Sequence, residues 1–411
     1  MSDPGFVCTD LTVPSQGSQT VRTLFSRYLG RQYRDFLKLR LAGATHEALA
    51  LGALQRHCRD LATTSPGPLF SALQHTTVGG LIRYLADGAI ASPEGLRWTG
   101  HLVASLYAEL ALGGAAPPPI LVPAPLSRLI VGGVGVCIQF PDRTSTLRLH
   151  PDGLTLAGPT GVTTLTWDDV RSGDSPLIVP AVVPLKGRCT FALVDDSPVA
   201  QFETHPDKSG NGLDLGGRTS AEWVASLQEA LDLVRLGVPA IADEIELLIE
   251  QVIPVGYDRE RHLSASYGEY VGTIYLSLHP DSLTLAEALI HEHSHNKINM
   301  LWTLAPVLHN AFTPLYTSPF RPDPRPLHGV LLGVHAFLPI EGMYEELLAR
   351  DHPAIRGSGF EERRRRVRER NAQACEMLDS HAQPTDTGRG VLDEIARWNA
   401  HYSSASVLLH G

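Results

Sequence analysis

The chain has 411 residues, a formal net charge of −10 and a sequence pI near 6.0. That length gives room for two or three domains with ample core, and the acidic balance argues against a nucleic-acid partner. No run of about twenty apolar residues occurs, so no membrane span is expected. The five cysteines, Cys8, Cys58, Cys137, Cys189 and Cys375, are scattered without a CxxC pair. They fit free thiols in a reducing cytoplasm, not a disulfide frame or a cysteine zinc site. Met1-Ser2-Asp3-Pro4-Gly5 lacks a basic stretch leading into an apolar run, so no secretion signal is expected and a cytoplasmic location is.

Three regions follow in chain order, and together they read as an α+β protein: mostly helical, with a central antiparallel β region and a C-terminal helical metal-binding region. Residues 1–115 are expected to be helical. Val21, Leu24, Phe25, Tyr28 and Leu29 form one apolar stripe, and Tyr33, Phe36 and Leu37 continue it. Further helices are expected over 44–61, 69–85 and 93–112. Arg31, Arg34 and Arg40 suit solvated helix faces. The run Gly113-Gly114-Ala115-Ala116-Pro117-Pro118-Pro119 marks a boundary.

Residues 116–210 change to strand patterning. His150-Pro151-Asp152-Gly153 is a turn signal between two alternating stretches, and 120–204 is expected to be antiparallel. Gly132-Gly133-Val134-Gly135 resembles a nucleotide loop only superficially, because no Lys-Ser or Lys-Thr pair follows and no helix opens. Asp207-Lys208-Ser209-Gly210-Asn211-Gly212 reads as a connector into the third region, 211–411. There helices return over 220–236 and 240–252, and two short strands are expected over 264–267 and 272–278. The basic run Arg363 to Arg366, with Arg368 and Arg370, is interleaved with Glu361, Glu362 and Glu369 and reads as an exposed helix face.

The chemistry concentrates in Leu289 to Trp302, which contains His291-Glu292-x-x-His295. On a helix, positions i and i+4 lie about 40° apart around the axis, so both imidazoles leave one face, one turn apart. Two neutral imidazoles held so chelate one divalent metal, with Glu292 able to reach a metal-bound water. His293 points to nearly the opposite face, and Lys297, about 200° round from His295, is not expected on the metal's face. Asp281, Ser282 and Thr284 are candidate caps for this helix. If Thr284 caps, Glu287 completes a capping box.

A third protein ligand is required. Downstream candidates are His309, His328, His335, Glu341, Glu345, Glu346 and His352. The metzincin extension is absent, since Ile298 and Leu301 stand where its glycine and third histidine belong. A helix is expected to begin near Pro326, and Pro339 is expected to break or kink it.

The combination His291-Glu292-x-x-His295-x-Lys297, then Arg321-Pro322-Asp323-Pro324-Arg325-Pro326-Leu327-x-Gly329, then Gly333-Val334-His335-Ala336-Phe337 resembles the HExxH-type peptide-modification proteins of ribosomally made peptide natural products. The resemblance covers about Leu283 to Glu346. It implies an iron(II)- and 2-oxoglutarate-dependent peptide β-hydroxylase, with a precursor peptide as substrate and molecular oxygen as co-substrate. It further implies His291, His295 and His335 as metal ligands. Such chemistry needs a fixed cation for the far carboxylate of 2-oxoglutarate, for which Arg325 is the first choice and Arg321 the second. Glu292 then orients a water or a ligand. The rival reading is a zinc metallopeptidase, with Glu292 as general base, Glu341 or Glu345 as third ligand and Tyr344 at the oxyanion. The N-terminal helices leave a homodimer open.

Overall fold

In a computed structural model, residues 9–408 are described except 16, 18, 93, 124–126, 160, 202–203, 206–207, 210–211 and 358. Of the residues named above, Met1 to Gly5, Cys8, Pro93, Asp207, Gly210 and Asn211 lie outside that set. Helices Gln19–Lys38, His46–Thr64, Pro66–Leu73, Thr76–Ala86 and Gly95–Leu112 follow in order. Their starts obey local rules: the Thr45 hydroxyl accepts from the Ala48 N–H, and Pro66 occupies a first-turn position where its missing N–H costs nothing. Gly95–Leu112 is buried along nearly its whole length, mostly apolar but with Thr99, His101, Ser105 and Glu109 also buried, as expected of a helix packed on all sides. One apolar core runs from Leu29 through this helix to Ile178. The Gly113 to Pro119 run therefore joins two halves of a shared core.

The first strands pair as expected. Ile120–Pro123, Thr146–His150, Gly153–Gly158 and Gly161–Thr166 make a four-stranded antiparallel sheet, and Arg128–Val131, Val136–Gln139 and Ile178–Pro180 a three-stranded one. The glycine-rich turn between Arg128–Val131 and Val136–Gln139 does receive an anion, but the protein's own. The Gly133 N–H donates to both Glu109 carboxylate oxygens at 3.1 and 3.2 Å. A Cβ on Gly133 would lie 2.5 Å from one of those oxygens.

The antiparallel expectation fails at its C-terminal end. Val182–Lys186 and Cys189–Ala192 leave this region and join a mixed five-stranded sheet with Gln251–Tyr257, Thr273–Leu278 and Ser264–Ala265. Cys189–Ala192 and Thr273–Leu278 both run parallel to the central Gln251–Tyr257. Thr273–Leu278 is buried at every position, so it carries no alternating pattern, which is the usual mark of a strand covered on both faces. Ser264–Ala265 forms one edge of this sheet, antiparallel to Thr273–Leu278.

From that strand the chain enters the motif helix, Ser282–Leu304. Asp281 caps it, accepting from the Leu283 N–H at 3.1 Å and the Thr284 hydroxyl at 2.8 Å. The Thr284–Glu287 capping box does not form, because Glu287 instead accepts from Tyr344 and pairs with Arg363. The next long helix, Leu327–Ala349, passes through Pro339 without a break. The helix continues across it, although Pro339 offers no N–H to the His335 carbonyl one turn earlier. Both helices belong to a second core that reaches from Leu11 to Tyr402.

Helices Phe360–His381 and Asp386–Leu408 close this core. The basic run is only partly an exposed face. Arg363 reaches Asp281 and Glu287 at 3.2 and 2.7 Å, Arg368 reaches the buried Glu341 at 3.2 Å, and Arg364, itself largely covered, pairs with Glu361, whereas Arg365 and Arg366 pair with Glu362 and Glu369 outside. A run this long wraps the helix and so presents both faces. Cys58, Cys137, Cys189 and Cys375 are free thiols. Among the described residues no helix is long and apolar enough to cross a membrane.

Candidate metal centre

His291 and His295 project from one face of the motif helix, their ring centroids 4.3 Å apart at 75°. One ligating atom from each of His291, Glu292 and His295 lies within 4.8 Å of the others. They open on a cavity of about 460 Å³, whose other walls include His262, Ser264, Phe320, Arg321, Arg325 and Phe337.

Three sets of contacts fix the motif helix. The Asn296 side chain accepts from the Gly272 N–H at 2.7 Å and donates to the Glu292 carbonyl at 2.8 Å, tying the helix to the start of Thr273–Leu278. Glu292 is 2% exposed, and its carboxylate takes one serine hydroxyl on each oxygen: Ser264 on Oε1 and Ser266 on Oε2, both at 2.7 Å. Alternate strand residues share a face, which is why Ser264 and Ser266 reach one carboxylate. On the opposite face of the helix, His293 and Lys297 converge on the Glu244 carboxylate at 3.1 and 2.8 Å, all three wholly buried. Lys297 also donates to the Leu11 carbonyl at 2.6 Å, and Glu394 accepts the N–H groups of Leu11, Thr12 and Val13.

Burial sets the protonation of the histidines. It lowers His291 to about 4, and together with His291 and His328 it holds His295 well below the ordinary imidazole range. Both rings are therefore neutral near pH 7, the form that binds metals. His295 Nδ1 is buried without a hydrogen-bond partner. Two neutral imidazoles, one with an orphaned nitrogen, beside a buried carboxylate make a donor set that fits a divalent first-row metal.

The remaining predicted site residues divide. Arg325 and Arg321 line the cavity as expected. Both lean on Asp323, at 2.8 and 3.6 Å, while Arg325 Nε is buried without a partner. His335 does not join the cluster. It is fully buried with both ring nitrogens unpartnered, and the charged and polar groups acting on it, after burial itself, are Lys297, His295 and His293. Gly329, Leu332, Gly333 and Phe337 are the positions of its helix that line the cavity; His335 stands about 200° round from Gly333 and Phe337 and about 60° from Leu332, and does not itself line it. His328 packs against Trp302 and Phe312. The residues of the peptidase reading are committed elsewhere: Glu341 to Asn371 and Arg368, Glu345 to Arg368, and the Tyr344 hydroxyl to Glu287.

Ser264, Ser266 and His262 are not among the residues expected from the sequence, since they precede the motif by more than twenty residues. The available signal was His262-x-Ser264-x-Ser266, polar residues at period two in a strand beside the motif helix. Gly333 has a steric role: a Cβ there would meet the Phe320 ring at 2.4 Å, and Phe320 stacks on Phe337, which in turn meets His291 edge-on at 4.9 Å. No protein-family model matches the sequence, and no curated protein is detectably similar to it.

Proposed function

We propose that this chain is a cytoplasmic, metal-dependent enzyme, and specifically an iron(II)- and 2-oxoglutarate-dependent oxygenase that hydroxylates a side-chain β-carbon of a ribosomally made precursor peptide. The observation that carries the reading is the shared cavity: two neutral imidazoles on one wall, and Arg321 and Arg325 on another. A peptidase needs no such cation pair facing its metal. The carboxylates and the tyrosine it would need are bound elsewhere, which weakens the zinc alternative.

When bound, iron(II) with 2-oxoglutarate and oxygen supplies the oxidising power that turns a C–H into a C–OH as 2-oxoglutarate becomes succinate and carbon dioxide. His291 and His295 hold the metal. Arg325, with its free Nε and its fork of donors, fixes the far carboxylate of the co-substrate, and Arg321 adds positive potential. Glu292, restrained by two serines, orients a ligand at the metal without rotating away. The stacked Phe320 and Phe337 make an apolar wall that keeps water from the reacting face.

The test is succinate formation from 2-oxoglutarate by the iron-loaded protein, with a one-oxygen mass gain on a peptide encoded beside it. New peptide termini with zinc, and no succinate with iron, would establish the peptidase instead.

A further inference from the structure

Catalytic centres of this kind ordinarily take three protein ligands, and the motif helix gives two imidazoles. The cavity contains one more. His262 lies at the end of the loop that connects Gln251–Tyr257 to Ser264–Ala265 and lines the same cavity as His291 and His295. Both of its ring nitrogens are buried and neither makes a hydrogen bond of good geometry, although the Ser277 backbone is near enough to act on the ring. A buried polar ring left unpaired costs free energy, so the position calls for a ligand. Burial first, then His279, Arg363 and His291, hold it neutral at about 4, with only the Ser277 backbone opposing.

The backbone around His262 is set. Asp258 Oδ1 accepts from the N–H groups of Glu260 and Arg261 at 2.8 and 3.1 Å. The Leu263 carbonyl accepts from the Ser277 N–H and its N–H donates to the Ser277 hydroxyl, so the pairing reaches Leu263, and His262, Leu263 and Ser264 all line the cavity. Ser264 and Ser266 already hold Glu292, the neighbour of His291. The His262 ring stands outside the 4.8 Å group of His291, Glu292 and His295. Its two side-chain torsions, with the backbone fixed, are enough to swing a ring nitrogen by several ångströms. His335, the other histidine with both nitrogens unpaired, lacks this access because it is not on the cavity wall.

The geometry points to His262 as the third protein ligand of the metal centre, an imidazole brought from the strand side to complete the pair on the helix. This inference rests on the metal-centre part of the reading above and is independent of the reaction.

The test uses zinc and cobalt(II) with the full chain. Against a chromophoric chelator, His262→Ala weakens zinc binding by at least about tenfold, and His335→Ala leaves it near the unaltered protein. With cobalt(II), His262→Cys gains a thiolate-to-metal charge-transfer band, which only direct coordination produces. That spectrum decides the matter if the alanine variant folds poorly. A cysteine variant with no such band, or a band in His335→Cys instead, overturns the inference. His291→Ala is the control: if it still binds zinc at full affinity, the metal centre itself is wrong, and that failure is distinct from failure of His262 alone.

Discussion

Replacing Lys297 by methionine isolates what the buried side of the motif helix contributes. Lys297 Nζ lies 2.8 Å from Glu244 Oε2 and 2.6 Å from the Leu11 carbonyl, and neither charged side chain has any exposure. Breaking a buried pair by removing one partner costs about 3–5 kcal/mol, because the other charge stays buried. The orphaned Leu11 carbonyl adds about 1–2 kcal/mol. Two effects offset part of this: His293 still reaches Glu244 at 3.1 Å, and the methionine fills most of the vacated volume. The expected loss is about 4 kcal/mol, read as a lower urea midpoint followed by circular dichroism. Lys297→Met combined with Glu244→Leu recovers at least half of that loss, since a well-packed apolar pair replaces a buried ion pair at little cost. A single-variant loss below about 1 kcal/mol, or a double variant weaker than the single, refutes this account of the helix's anchorage.

Other consequences follow from the same contacts. His75 sits between Glu250 at 2.8 Å and Glu109 at 3.6 Å; burial disfavours its charged form, but those carboxylates outweigh burial and raise it to about 9. Because the folded value exceeds the unfolded 6.5, this contribution is fully present below pH 6.5 and disappears as pH rises through about 9. Its size is roughly 3 kcal/mol, and His75→Gln should flatten the fall in urea midpoint across that window. Gly333→Ala forces the Phe320 ring to move, with a stability cost of about 1–3 kcal/mol and a change in near-ultraviolet circular dichroism; an unchanged melting temperature contradicts the contact. Arg325→Ala raises the 2-oxoglutarate concentration needed for half-maximal turnover by about tenfold or more while metal affinity stays put, and unaltered dependence removes Arg325 from the site.

Much of the site was legible because it is local. The spacing of His291 and His295 dictates a shared helix face, and the opposite placement of His293 and Lys297 follows from the same wheel. Arg321 and Arg325 reach the cavity from the proline-stiffened loop where they were sought. What failed depends on tertiary context. Strand direction around Gln251–Tyr257 is set by two partners, Cys189–Ala192 well before it and Thr273–Leu278 after it, and uniformly buried strands carry no alternation to reveal it. Asp281 displaced Thr284 as the cap because Glu287 was drawn to Tyr344 and Arg363, neither of which is near in sequence. His335 follows the motif in sequence but is not among the residues of its helix that line the cavity, which are Gly329, Leu332, Gly333 and Phe337. Pro339 is a position where a break or a kink is expected, and the helix runs through it unbroken with buried residues on either side.

The most direct test is an anaerobic titration of 2-oxoglutarate into the iron(II)-loaded protein, watched for the visible charge-transfer absorption of a keto acid chelated to iron(II). The account predicts a saturable band that His291→Ala abolishes and Arg325→Ala shifts to higher 2-oxoglutarate. Tightly held zinc, no band, and cleavage activity dependent on Glu292 would contradict it.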